Sequence, residues 1–251
     1  MTFSLRVLSL IAVFAVPYVH AEGAHWSYHG EQGPDHWGQE GSPLCRSGDH
    51  QSPIDISAVH HALSKADSRA LQLNYGKSAV TLVNNGHTIQ ATPGPMANDW
   101  ITYRGTVYQL AQFHFHTPSE HSINHQRYPM ELHLVNKASN GDLLVIGLML
   151  AEGKQNAELA SLTQALPARS GETFELDRAH SPDLSALIPE NSHHYFYQGS
   201  LTTPPCSEGV QWVLFDTPVQ LSKEQIERFA RIIGDNHRPL QNVNGREVDE
   251  D

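Results

Sequence analysis

In the run Gln112-Phe113-His114-Phe115-His116, imidazoles alternate with phenyl rings. This period of two belongs to an extended strand whose two faces differ in character. His114 and His116 then point to one side, and Phe113 and Phe115 to the other. The run Glu131-Leu132-His133-Leu134-Val135 repeats the pattern, with Leu132 and Leu134 facing away from Glu131, His133 and Val135. If the second strand pairs beside the first, His133 joins His114 and His116, and Glu131 lies on the same face as the imidazole it could orient. Three neutral nitrogen donors with no evident fourth protein ligand describe a zinc site that keeps an open position for water, and an open position implies catalysis. With 17 His in the chain, a His-x-His pair also arises at solvated or structural positions. The apolar opposite face of both runs is what favours a rigid metal site.

The chain has 251 residues, 39% of them hydrophobic, and no Ser/Gly-rich or charged linker divides it, so residues 22–251 are read as one domain. Residues 1–21 read as a signal peptide: Arg6 is the positive start, Val7 to Val16 the apolar run, and Val19-His20-Ala21 the small-residue cleavage site. That run is shorter than the roughly 20 residues a bilayer requires. Cleavage removes Arg6 and no acid, so the formal charge goes from -11 to -12 (-11 minus 1). Nucleic acid is excluded as a partner, because binding phosphate needs a basic surface. Two cysteines, Cys45 and Cys206, in a chain bound for an oxidising compartment read as a disulfide, the alternative being two buried thiols.

Short runs rich in β-branched and aromatic residues recur between turn signals: Leu71 to Tyr75, Ala79 to Val83, His87 to Ala91, Val107 to Phe115, Glu131 to Asn136, Leu143 to Leu150, His194 to Gln198 and Val210 to Phe215. Asn85-Gly86 and Asn140-Gly141 are turn dipeptides between such runs. The fold class is therefore mainly β. Helices are expected only over Asn156 to Leu166 and from Ser222, where Ser222-x-x-Gln225 forms a capping box. Ile226, Phe229, Ala230 and Ile233 follow at helical spacing, with Gly234 as the C-terminal cap.

Together the motifs resemble the α-class carbonic anhydrases along nearly the whole mature length. The matching segments run in the family's order: His25-Trp26-Ser27-Tyr28, Gly33-Pro34-Asp35-His36-Trp37, Gln51-Ser52-Pro53-Ile54-Asp55-Ile56 and Asn84-Asn85-Gly86-His87. The two histidine strands follow with Ser119-Glu120-His121 between them, then Gly199-Ser200-Leu201-Thr202-Thr203-Pro204-Pro205-Cys206 and Trp212. The resemblance implies a large, twisted, mostly antiparallel central sheet with a few short peripheral helices. It also implies reversible hydration of carbon dioxide to bicarbonate by zinc-bound hydroxide.

Carried over residue by residue, the resemblance makes His114, His116 and His133 the Zn2+ ligands, and Gln112 and Glu131 the acceptors that fix their rings. Glu120 accepts the Thr202 hydroxyl proton, which leaves that oxygen able only to accept from the hydroxide and so orients it. Thr203 contacts bicarbonate. Val135, Val145, Leu201, Val210 and Trp212 form the apolar wall for carbon dioxide. His87 is the proton shuttle, with Tyr28 and Asn85 ordering the intervening waters. Cys45 and Cys206 tie the Thr202 loop in place across a candidate cis Pro204-Pro205 bond. His60-His61 and His193-His194 are read as surface or structural residues, not ligands.

Only Thr117, Pro118 and Ser119 separate His116 from Glu120, much shorter than the corresponding loop in vertebrate members. With the leader and the cysteine pair, this resembles the bacterial branch and implies a periplasmic enzyme acting on a small molecule. The mature chain is expected to lack a membrane span and to be a monomer or homodimer. The alternatives are another small-substrate zinc hydrolase such as an esterase, a non-catalytic module of the same fold, and a zinc-storage protein. The intact histidine trio opposes the second, and the Phe-interleaved strands oppose the third.

Overall fold

A computed structural model describes residues 26–57, 61–62 (backbone only), 70–190 and 193–251. The expected signal peptide, His25 and His60 lie outside them. In chain order the strands are β1 (Asp55–Ile56), β2 (His61–Ala62), β3 (Leu71–Asn74), β4 (Val80–Asn84), β5 (Ile89–Pro93), β6 (Trp100–Tyr103) and β7 (Thr106–His116). Then come β8 (Ser122–Ile123), β9 (Met130–Ala138), β10 (Leu143–Glu152), β11 (Thr173–Leu176), β12 (His194–Ser200), β13 (Glu208–Leu221) and β14 (Asp249–Glu250). The α-helices are α1 (Leu44–Ser47), α2 (Ala160–Gln164) and α3 (Lys223–Ile233).

Ten strands run in the order β11-β4-β5-β7-β9-β10-β13-β12-β14-β2, with β6 joined to β7 and β3 to β6. In this sheet β10–β13 and β14–β2 are parallel, and every other pairing is antiparallel. The central strands are buried on both faces, which accounts for the nearly unbroken apolar stretch Leu143 to Leu150. Leu144, Ile146, Leu148 and Leu150 enter one core with Phe113, Phe115, Leu132 and Leu134. Val145 and Met149 enter a second core with Val210, Trp212 and Leu214.

A register shift between Leu110 and Gln112 decides which face the histidines occupy. Before it, Tyr108 and Leu110 are the core-facing residues; after it, Phe113 and Phe115 are. The extra residue, Ala111, changes the parity of the strand, as a β-bulge does. Without it the phenyl rings and the imidazoles would exchange sides.

The capping box forms as expected: the Ser222 hydroxyl accepts from the Gln225 amide, the Gln225 side chain accepts from the Ser222 amide, and Gly234 ends α3 at φ 64°. Phe229 of this helix packs on Phe115 with ring centroids 4.4 Å apart. The helix expected over Asn156 to Leu166 shortens to α2. Asn156 Oδ1 accepts from the Leu159 amide at 3.1 Å, and its Nδ2 donates to the Gln220 carbonyl at 3.3 Å. Those side-chain bonds compete with helical pairing in the first turn. The sequence reading did not anticipate β6 or β11, nor the two-residue strands. Cys45 and Cys206 are joined in a disulfide with a Cα–Cα distance of 5.0 Å. Pro204-Pro205 is cis, as are Ser52-Pro53 and Thr117-Pro118.

Candidate metal site

Strand pairing sets His114 directly opposite His133, and His116 opposite Glu131. The three imidazole rings have centroids 4.6 to 5.2 Å apart, and one nitrogen from each lies within 4.8 Å of the others. The remaining nitrogen of each ring is already engaged. His114 Nδ1 donates to Gln112 Oε1 at 2.8 Å, and His133 Nε2 donates to Glu131 Oε1 at 2.8 Å. In both pairs the acceptor sits two residues before its histidine and so shares its face.

His116 Nδ1 donates instead to the backbone carbonyl of Asn236 at 2.8 Å. The converging set is therefore His114 Nε2, His116 Nε2 and His133 Nδ1. His116 Nε2 is buried without a hydrogen-bond partner, and so is Glu120 Oε2, 3.5 Å away. A buried polar atom left unpaired costs free energy unless something occupies the space before it. Burial drives the His114 pKa well below its ordinary value and that of His116 down to about 4, so both rings are neutral donors at pH 7. Three converging imidazole nitrogens fit zinc.

Glu131 is fully buried, yet it is held ionised. Burial alone would raise its pKa, but His121 and His133 outweigh it and hold it well below the ordinary range. Its Oε1 accepts from His121 Nδ1 and His133 Nε2, and its Oε2 from the amides of Glu120 and His121, all within 2.8 to 2.9 Å. A Cβ at Gly147, the residue opposite His133, would lie 3.0 Å from Glu131 Oε1 and 2.4 Å from Leu214 Cδ2, so the carboxylate needs glycine beneath it. His121 continues the chain: its Nε2 accepts from the Tyr197 hydroxyl at 2.6 Å, which meets Ser52 Oγ at 2.8 Å.

Glu120 is also fully buried, and its Oε1 accepts from the Arg238 amide at 2.8 Å. Burial pushes its pKa up to about 7, with His133 and the Thr202 hydroxyl pulling the other way. The expected Thr202–Glu120 pair thus shares one pocket. The Thr202 hydroxyl lowers the Glu120 pKa as a hydrogen-bonding neighbour, while Glu120 Oε2 stays without a partner. Thr202 is 5% exposed; Thr203 is partly exposed, and its carbonyl accepts from the Cys206 amide at 2.8 Å.

All five residues of the expected apolar wall fall in one cluster: Val145, Val210 and Trp212 buried, Val135 and Leu201 partly buried. The Trp212 ring lies 4.9 Å from that of His133. His87 stacks on Trp26 at 3.7 Å, and Tyr28 meets the same indole edge-on at 5.4 Å. Asn85 is exposed, and its Oδ1 accepts from the His87 amide at 2.9 Å. His194 pairs with Asp251 at 2.6 Å and takes no part in the site. Asn236 and Arg238 are residues that sequence reasoning missed, and His121, quoted there only within a motif, was given no role. The first acts through a main-chain carbonyl, which no residue type advertises. A cavity of about 840 Å3 between β4, α2 and β11 contains none of the site residues.

Fold and site thus set three imidazoles that could hold a metal ion on the face of one large β-sheet. The family model for eukaryotic-type carbonic anhydrase matches residues 32–251. A carbonic anhydrase of Klebsiella pneumoniae is 40% identical over 251 residues, covering 99% of each chain. One from Neisseria gonorrhoeae is 38% identical over 233 residues, covering 91% of this chain and 89% of its own. Among solved structures, the α-carbonic anhydrase of Thermovibrio ammonificans in complex with sulfanilamide superposes with a TM-score of 0.83 at 42% identity, over 90% of this chain and 99% of that one. The Photobacterium profundum enzyme gives 0.83 at 40% identity, over 90% and 100%. The chain belongs to the α-class carbonic anhydrase family, whose members are zinc-dependent. Its reaction is the reversible hydration of carbon dioxide to bicarbonate and a proton.

Proposed function

We propose that His114 Nε2, His116 Nε2 and His133 Nδ1 hold the zinc at which this chain hydrates carbon dioxide. The observation that carries the reading is the buried, unpartnered His116 Nε2 beside two further imidazoles whose opposite nitrogens are all bonded. When bound, zinc supplies the Lewis acidity that makes a solvent molecule nucleophilic at neutral pH, carbonic anhydrase being the standard example of that effect. Gln112, Glu131 and the Asn236 carbonyl hold the three rings in one tautomer each. Glu120, fixed by the Arg238 amide, takes the Thr202 hydroxyl proton. The Thr202 oxygen then only accepts and so orients the nucleophile.

Val135, Val145, Leu201, Val210 and Trp212 receive carbon dioxide, which lacks a dipole and is held by apolar contact. Thr203 meets the bicarbonate product. His87 carries the proton outward, its ring braced on Trp26, while Tyr28 and Asn85 order the water between. The Cys45–Cys206 disulfide supports a secreted, periplasmic enzyme that has lost residues 1–21. No helix among the described residues is long and apolar enough to cross a membrane.

Metal analysis with stopped-flow hydration on wild type and His116→Ala tests the reading. One zinc per chain and its loss together with turnover is expected. A zinc-free variant as active as wild type would refute it.

A further inference from the structure

The turn that bears His87 is fastened to a distant part of the chain by a residue the reaction does not touch. Asn84, the last residue of β4, is 6% exposed, and all of its polar groups are committed. Its Oδ1 accepts from the Gly86 amide at 3.0 Å, and its Nδ2 donates to the Pro167 carbonyl at 3.2 Å. Its backbone amide donates to the Glu172 carbonyl at 3.0 Å, and its carbonyl accepts from the Gly171 amide at 2.8 Å. One side chain therefore joins the 85–88 turn to the 167–172 segment.

That segment is itself braced, since Glu172 Oε2 accepts from the amides of Ala168 and Arg169 at 2.9 and 3.0 Å. It also abuts the turn directly. Gly86 has φ 86°, and a Cβ there would lie 3.0 Å from Ser170 Oγ. On the far side, the His87 carbonyl accepts from Asn236 Nδ2 at 3.0 Å, and Thr88 Oγ1 donates to the Phe115 carbonyl at 2.6 Å. The second ties the turn to the strand of His114 and His116 directly, and the first does so through Asn236, whose Nδ2 also donates to the Phe115 carbonyl at 3.0 Å. The 167–172 segment is the second anchor, and Asn84 is its link.

We propose that Asn84 is a positioning residue for proton transfer: it holds the His87 turn against the 167–172 segment and so fixes where the imidazole stands relative to the metal site. The inference rests on His87 being the proton relay. Transfer through water depends steeply on the placement of donor and acceptor, whereas the hydration step does not involve His87. Proton export follows release of bicarbonate, so it enters kcat and leaves kcat/KM untouched.

The test is stopped-flow carbon dioxide hydration on the zinc-loaded enzyme, in dilute bulky buffer and again with added imidazole, for wild type, Asn84→Ala, Asn84→Asp and His87→Ala. Asn84→Asp keeps the acceptor for the Gly86 amide and sets an acceptor against the Pro167 carbonyl. Both Asn84 variants are expected to lower kcat about threefold or more while kcat/KM stays within about twofold, a part of the roughly 10²-fold that a positioned proton-transfer group supplies. Imidazole should restore kcat, and Asn84→Ala should add nothing to His87→Ala. Should neither Asn84 variant fold, Gly86→Ala disturbs the same turn by setting a Cβ against Ser170 Oγ at φ 86° and should give the same signature. An unchanged kcat, or kcat and kcat/KM falling together without rescue, overturns the inference while leaving the relay intact. An unchanged kcat in His87→Ala overturns the relay itself, and this inference with it.

Discussion

Replacing Arg238 by Met should cost about 4 kcal/mol of folding stability. The guanidinium is 1% exposed and meets no carboxylate. Its Nη1 donates to Gln51 Oε1 at 2.9 Å and the Ser52 carbonyl at 2.7 Å, its Nη2 donates to the Cys45 carbonyl at 2.7 Å, and it lies 5.8 Å over the Trp37 ring. Three hydrogen bonds to a charged donor contribute about 1.5–3 kcal/mol each, or about 5–9 together. Against them stands the cost of burying the charge, eased by Glu120. Burial lowers the pKa from its ordinary value to about 10, a penalty of about 3 kcal/mol at ~1.36 kcal/mol per pH unit. The difference is about 2–6 kcal/mol, and Met fills the volume while leaving three acceptors dry. Urea unfolding with the disulfide intact measures this as a lower midpoint at unchanged slope. Arg238→Lys keeps the charge but not the planar fork, so it should fall between the two. A loss below about 1 kcal/mol for Met, or a Lys variant equal to wild type, would show that the fork of hydrogen bonds is not what matters.

Reducing Cys45–Cys206, which closes a span of 161 residues, removes about 5 kcal/mol on the chain-entropy account. Hydration activity should fall before near-ultraviolet circular dichroism changes, because Cys206 lies four residues beyond Thr202; equal activity in folded reduced and oxidised enzyme contradicts this. In zinc-stripped protein His116 titrates at about 4, against about 6.5 when unfolded, so the unfolded chain takes up its proton first as pH falls. The stability from keeping that ring neutral is fully present above pH 6.5 and lost as pH falls through 4, about 3 kcal/mol in all. Urea midpoints over that window should fall more steeply for wild type than for His116→Gln, and parallel slopes would refute the assignment. Gly147→Ala should displace Glu131 and weaken zinc about 10–100-fold, read by competition with a chelator; unchanged affinity would mean the carboxylate can move aside.

Local period made the histidine strands legible. Alternation assigned His114, His116, Phe113 and Phe115 to opposite faces, and an i, i+2 relation paired Glu131 with His133, whereas Gln112 came as an acceptor only from the family resemblance. Capping chemistry marked α3 for the same reason, since its signal lies within four residues. The bulge at Ala111 has no comparable mark, although it decides which face the imidazoles share. Asn236 was hidden because its carbonyl reaches His116 across 120 residues, and β11 because three of its four residues are exposed and no alternation shows. Arg238 reads as an ordinary surface cation until the fold closes over it.

Long-range closure also explains how the labour divides between strands and loops. Donor nitrogens must hold their spacing closely, and they stand on β7 and β9, whose apolar faces are packed in the main core. Loops bring the remaining groups: Glu120 from the short link after β7, Thr202 after β12, His87 from the turn after β4, and Asn236 and Arg238 beyond α3. A loop would be a poor carrier were it free to move, but the loops of Glu120 and His87 are both tied to segment 236–238. Asn236 binds the His116 ring and the His87 carbonyl, and the Arg238 amide and guanidinium bind Glu120 and the Cys45 carbonyl. The segment 236–238 is therefore a common brace for His116, Glu120, His87 and the disulfide. Substitutions there should disturb metal affinity, turnover and stability together, whereas one at Asn84 should reach the proton step alone.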